Sequence, residues 1–216
     1  MARTDSKFKD ALVQAGRPDR VEGRHVNMPV ELGSTMVFDT LGAFETARAN
    51  RYEPGTLYYG RYGNSASFKL EEALRELEGA SVVTLTSSGV AAIALALLEL
   101  TAPGAHLLVA DNVYGNTRAF CDGVLTKQNV EIEYFDPMVG ADVAALFRPS
   151  TAAVMFEAPG SGTFEVCDLP AIAEACRAHG VASVFDGTWA TPVFCRPLEQ
   201  AMTPSMQSEW PQRYLD

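Results

Sequence analysis

The chain has 216 residues, 47% of them hydrophobic and 20% charged, with a formal net charge of −10 and a pI near 4.8. That is ordinary globular composition, long enough for one core. The acidic balance argues against nucleic acid or an anionic membrane as a partner, since both need basic patches, and no apolar run reaches membrane-spanning length.

The polar opening, Met1 to Lys7, carries no apolar signal core. Cys121, Cys167, Cys176 and Cys195 are widely spaced and form no CxxC pair. They read as reduced thiols of a cytoplasmic protein, with no metal site. His25, His106 and His179 are scattered outside any metal-ligand spacing and read as structural.

Residues 1 to about 55 read as irregular, with a short helix over 41–50 carrying Phe44, Ala47 and Ala49. So long an irregular arm is unusual unless it packs on something, and a partner subunit is one such surface. The run Tyr58-Tyr59-Gly60-Arg61-Tyr62-Gly63-Asn64 reads as a loop. Its arginine suits bidentate phosphate contact and its tyrosines add hydroxyl donors.

Residues 65–77 read as an amphipathic helix, with Phe68, Ala73, Leu74 and Leu77 on one face and Glu71, Glu72, Arg75, Glu76 and Glu78 on the other, ended by Gly79. The run 82–86 reads as a buried strand, Ser87-Ser88-Gly89 as a tight turn, and 90–100 as a buried helix. The free N–H groups and dipole of that helix N-terminus make a phosphate seat. It is not a Walker A loop, which needs a lysine there.

Strands are then expected over 106–110, 130–135, 151–156 and 181–185. Helices are expected from Gly115 to about Leu125, over 142–147 and over 169–178. Strand and helix alternate from about residue 80 to 186, the pattern of an α/β fold with a largely parallel sheet and right-handed crossovers. Ligands in such sheets bind outside the carboxyl ends of the strands. Ser88-Gly89, Tyr114, Glu157 to Ser161 and Asp186 to Thr188 all fall there.

Asp186 ends an apolar strand, where a carboxylate needs a cation or a strong donor. One partner of that kind is the protonated ring nitrogen of pyridoxal phosphate (PLP); the alternative is an Asp that caps the next turn. Tyr114, just past a strand and followed by glycine, either stacks on a planar ring or plugs the sheet end.

Five stretches stand in order: Tyr59 to Asn64, Ser88 to Ala92, Tyr114-Gly115, Glu157-Ala158-Pro159-Gly160-Ser161 and Asp186-Gly187-Thr188-Trp189-Ala190. Together they resemble the Cys/Met-metabolism family of PLP-dependent enzymes of fold type I, over about residues 10 to 200. The wording is most similar to the cystathionine β-lyase members.

The resemblance implies a PLP-transferase-like large domain, with helices on both faces of a mostly parallel sheet, C-terminally incomplete. Residues 1–60 form the arm and cofactor loop, 61–200 the truncated PLP-binding domain, and 201–216 an aberrant tail. Tyr59 and Arg61 then bind the phosphate of the neighbouring subunit in a homo-oligomer, dimer or tetramer. Gly89 and Val90 hold the phosphate in the same chain, Tyr114 stacks on the ring, Asp186 pairs with its nitrogen, and Thr188 flanks it. Tyr114 and Tyr59 are the catalytic candidates, and no metal is implied. The implied substrate is a small sulfur amino acid: cystathionine, split by β-elimination into homocysteine, pyruvate and ammonia. A γ-synthase or γ-lyase type, or a non-catalytic partner of a full-length homologue, are the alternatives.

Two family motifs are altered. Asp-Asn-Thr is here Asp186-Gly187-Thr188, and Glu-Ser-Pro is Glu157-Ala158-Pro159. The larger departure follows Arg196-Pro197-Leu198. The family continues into a strand and Ser-x-Thr-Lys-Tyr, whose lysine forms the Schiff base and is the general base. Here 201–212 shows no strand period, the last lysine of the chain is Lys127, and Arg213-Tyr214 is only an echo. The tail reads as a shifted reading frame with early termination, so negligible turnover is expected of this chain.

Overall fold

The structure, a computed structural model, describes residues 6–17, 27–199 and 207–208. They fall into two units that divide between Leu85 and Thr86.

In the first unit, α1 (Ser6–Gln14) packs on α3 (Ser65–Glu78), and α2 (Leu41–Ala49) lies between them in sequence. α1 is a helix where irregular chain is expected. α2 stands where expected but buries none of its residues. α3 starts on a reciprocal cap: Asn64 Oδ1 accepts from Ser67 N and Ser67 Oγ accepts from Asn64 N, both at 2.9 Å. It ends on Gly79 at φ 69°. Glu78, expected on the polar face, is buried with Ala73.

In the second unit, five parallel strands stand in the order β2-β1-β3-β4-β5: β1 (His106–Ala110), β2 (Glu131–Phe135), β3 (Thr151–Glu157), β4 (Ala182–Asp186) and β5 (Gln207–Ser208). α4 (Gly89–Leu100), α5 (Gly115–Phe120) and α6 (Leu169–His179) flank the sheet. β1 is buried at every position, as a central parallel strand covered on both faces must be. Ile93 and Leu97 of α4 and Ile172 and Cys176 of α6 pack into one core with Phe156 and Phe185, whose rings lie 5.3 Å apart. α6 is capped by Asp168, whose Oδ1 accepts from Ala171 N at 3.1 Å, and closed by Gly180 at φ 67°.

Four expectations are corrected here. The run 82–86 is not a strand: it pairs with no described strand, and Val82 is 69% exposed. The helix over 142–147 is instead a longer 3-10 stretch, Pro137–Leu146, kinked at Gly140. The tail expected to lack a strand supplies β5, whose Gln207 and Ser208 register with Phe185 and Asp186. Helix α4 is only partly buried, with Leu95 and Leu98 facing out. The helix after Tyr114 runs as expected, passing from α5 into a π-turn, Cys121–Leu125.

At the amino edge of the sheet, His106 is fully buried, with Nδ1 sharing a hydrogen bond of 2.8 Å with Thr151 Oγ1. Its Nε2 lies 3.3 Å from Glu133 Oε2, out of line for a hydrogen bond, and Glu133 is paired with Arg148. Burial, reinforced by Arg148, holds its pKa below 6.5 against the pull of Glu133 and Glu131. The ring is therefore a neutral structural group. His179 is also structural, its Nδ1 2.8 Å from the Ala175 carbonyl; His25 lies outside the described residues.

Candidate cofactor site

Four loops leave the carboxyl edge of the sheet or reach it. β1, β3 and β4 are parallel neighbours, so Tyr114, Glu157 and Asp186 emerge along one edge. The turn over 101–105 returns α4 to the start of β1. α4 therefore runs back along the sheet and brings its N-terminus to the same edge.

The α4 N-terminus is capped by Ser88, whose Oγ accepts from Ala91 N at 3.1 Å, while Thr86 Oγ1 donates to Ser88 O at 2.9 Å. Ala92 N bonds to Ser88 O. The amides of Gly89 and Val90 find no acceptor among the described residues, so the cap satisfies the later donors and leaves free the two that an anion needs.

Asp186 is 6% exposed. Its Oδ1 accepts from Thr188 N at 3.1 Å and from Thr188 Oγ1 at 2.5 Å, whereas Oδ2 has no donor among the described residues. Burial raises its carboxyl above the usual range, and the two Thr188 bonds offset only part of that. No described cation pairs with it. A protonated pyridine nitrogen supplies the missing donor and charge, so the residues fit PLP.

Tyr114 is 45% exposed; its hydroxyl accepts from Asn116 Nδ2 at 2.8 Å. Its backbone is held by Glu157, the buried acid of the Glu157 to Ser161 stretch that the sequence places at a strand's carboxyl end. Glu157 Oε2 accepts from Tyr114 N at 2.6 Å and Oε1 from Ser161 Oγ at 2.7 Å. Burial, with the nearby Asp186 charge, raises its carboxyl despite those bonds. Asn112 is not among the residues that the sequence singles out. Its carbonyl accepts from Ser161 N at 2.9 Å, and its side chain fills the space a Gly160 Cβ would occupy, 2.1 Å from Nδ2. The apolar run ending in an acid was a signal for Glu157 as it was for Asp186; nothing in the sequence marked Asn112.

Tyr59 and Arg61 belong to the first unit. Gly60 lets this loop lie against residues 33–34, where a Cβ would meet Ser34 Cα at 2.7 Å. Gly60 N donates to Ser34 O at 2.7 Å, and Tyr59 bridges to Thr35. Arg61 is exposed, its guanidinium 5.4 Å from the Tyr59 ring centre and 5.7 Å from that of Tyr62.

None of the four cysteines is in a disulfide. Burial pushes the thiols of Cys121 and Cys176 up to about 12 and that of Cys167 to about 11, which makes them packing groups, not nucleophiles. No cluster of metal-binding side chains occurs among the described residues, and no described helix is long and apolar enough to cross a membrane.

A parallel sheet flanked by helices, with two open helix amides, an exposed tyrosine and a buried acid along its carboxyl edge, is the arrangement expected of a fold type I PLP-dependent protein. The profile of the Cys/Met metabolism PLP-dependent enzymes matches residues 9–209, and the chain belongs to that family. It is 37% identical over 207 residues to the cystathionine beta-lyase of Salmonella typhimurium, covering 95% of this chain and 52% of that one. It is 34% identical over 172 residues to the L-methionine gamma-lyase of Porphyromonas gingivalis, covering 79% and 43%. The crystal structure of cystathionine gamma-lyase from Lactobacillus plantarum complexed with L-serine superposes with a TM-score of 0.79 at 27% identity, over 93% of this chain and 50% of that one. The chain thus spans about half the length of the relatives it matches.

Proposed function

We propose that this chain is the PLP-seating portion of a carbon–sulfur lyase of the cystathionine β-lyase type. The observation that supports it most is the Asp186 carboxylate, buried and unpaired by any described cation, with Oδ2 open. Gly89 and Val90 hold the phosphate with their free amides, Tyr114 lies on the ring, and Thr188 keeps Asp186 oriented through Oδ1. PLP, when bound, supplies an electron sink that stabilises charge developing on the substrate Cα.

Tyr59 and Arg61 reach the phosphate of a neighbouring subunit in a homo-oligomer; the exposed Arg61 guanidinium, flanked by two phenol rings, supports that reading. Cysteines without disulfides fit a cytoplasmic setting. The last lysine, Lys127, lies just before β2, at the opposite edge of the sheet from Asp186. Lys127, the one lysine of the second unit, is therefore not placed to form the Schiff base or to take the Cα proton, and negligible turnover is expected of this unit by itself. The methionine gamma-lyase relative favours a second reading, a γ-eliminating member.

The test is a titration of the purified chain with PLP, read by visible absorbance before and after borohydride and then by intact mass. Reversible binding, weakened by Asp186→Asn and leaving no adduct fixed at one residue, is expected. A stoichiometric adduct at a single site would overturn the account of the missing lysine, and absence of binding the cofactor assignment. In a lyase assay of the whole protein, pyruvate supports β-elimination and 2-oxobutyrate the second reading.

A further inference from the structure

Glu157 has the right position to link the two halves of the ring site. It is the last residue of β3, whose neighbours are β1 and β4. On the β1 side its Oε2 accepts the Tyr114 amide at 2.6 Å. On the β4 side its backbone registers with Asp186. Its other oxygen accepts from Ser161 Oγ at 2.7 Å, and Ser161 N donates in turn to the Asn112 carbonyl at 2.9 Å. One side chain thereby ties the loop after β1 to the turn after β3. The side chain is 3% exposed, too buried for surface decoration.

A buried carboxylate beside another carboxylate is costly to keep. Packing alone gives no reason for it, because an apolar residue fills the same space more cheaply. What the carboxylate adds is two acceptors in fixed directions. We propose that Glu157 is a positioning residue: it clamps the Tyr114 backbone and the 158–161 turn to the end of β3, and so sets where the Tyr114 ring stands relative to Asp186. The proposal rests on reading Tyr114 and Asp186 as the ring contacts of the cofactor. Glu157 itself touches neither substrate nor ring in this role.

The experiment has two arms on the full 216-residue chain. The first needs no cofactor: amide hydrogen exchange at Tyr114, followed by NMR. Protection is expected in the wild-type chain. It falls about tenfold or more in Glu157→Ala, as for loss of a charge-assisted hydrogen bond. Glu157→Asp keeps the charge but withdraws the carboxylate by one methylene, and it loses protection similarly. Glu157→Gln, whose amide can accept from Tyr114 N and donate to Ser161 Oγ, retains most of it. An unprotected Tyr114 amide in the wild type, or full protection in Glu157→Asp, overturns the clamp.

The second arm adds PLP and reads the induced circular dichroism of its visible band, which reports a fixed ring orientation. Loss of that signal in Glu157→Asp, with far-ultraviolet dichroism unchanged and rescue by Glu157→Gln, is expected. Equal signals in wild type and Glu157→Asp overturn the positioning role. If wild type binds no PLP, the cofactor reading fails while the first arm still decides the clamp.

Discussion

Gly160 stands where the buried Asn112 side chain leaves no room for a Cβ, and Asp186 is an acid buried with no described cation beside it. An acid closing an apolar strand is a visible anomaly, because burial without a partner is costly. The sequence singles out Asp186 for that reason, and the Tyr59–Arg61 loop for its density of glycine and aromatic residues. Gly160 is read as part of a motif, but its physical need appears only in three dimensions. A Cβ there would lie 2.1 Å from Asn112 Nδ2, 2.6 Å from Cγ and 2.8 Å from Cβ, and Asn112 is buried. Gly160→Ala must therefore displace a packed side chain, an overpacking cost of about 1–3 kcal/mol. At roughly 2–4 °C per kcal/mol for a chain of this size, a lower melting midpoint is expected in thermal unfolding. Trimming the obstacle in the double variant Asn112→Ala/Gly160→Ala recovers part of the loss; an unchanged midpoint in Gly160→Ala would falsify the steric account.

Elements were legible where pattern and pairing agree. The four strands from β1 to β4 stand within a residue or so of their expected bounds: the apolar runs of β1, β3 and β4 are buried in the sheet, and the edge strand β2 pairs along its whole length with β1. The run 82–86 has strand composition yet no described strand to bond with, and Val82 and Leu85 remain exposed. β5 is the converse: Gln207 and Ser208 carry no apolar signal and are a strand only because β4 offers its edge. Ladder partners, not periodicity, decide such short segments. At α4 the cap serves both stability and the proposed site. Ser88→Ala removes the Oγ acceptor of Ala91 N, which costs about 1 kcal/mol of helix stability. It also leaves one more free amide at the seat without touching Gly89 or Val90. The expected outcome is a lower unfolding midpoint with phosphate affinity changed less than threefold, read by thermal unfolding and by ³¹P NMR titration with PLP. A large loss of affinity at unchanged stability would place the Ser88 hydroxyl itself on the anion.

The second unit carries opposed titrations at its two sheet edges, and they give its stability a defined pH shape. Asp186 and Glu157 have carboxyls raised by burial at the carboxyl edge. A raised acid favours the folded state while protonated, so its contribution is complete below its unfolded pKa and is lost as pH rises through the folded value. His106 at the amino edge is lowered from 6.5 by burial. The unfolded chain therefore takes up the proton first, and stability is lost as pH falls below about 6.5. Above their raised values the two carboxyls are charged and costly, while His106, lowered by burial, is neutral there and costs nothing. Asp186→Asn then unfolds at a higher temperature than the wild type by a few degrees, roughly the gain seen when a strained functional group is removed. That advantage shrinks to nothing as pH falls towards 4. His106→Gln gives the mirror result: its midpoint relative to wild type is flat above pH 7 and improves as pH falls from about 7 to 5. Thermal unfolding of the three chains across pH 4 to 8 reads both trends, and parallel curves for any pair would show that the named group does not titrate differently in the folded state. Under the role proposed for Asp186, the stability gained by Asp186→Asn is offset by weaker PLP binding, so repeating the series with PLP present separates the demands of folding from those of the site.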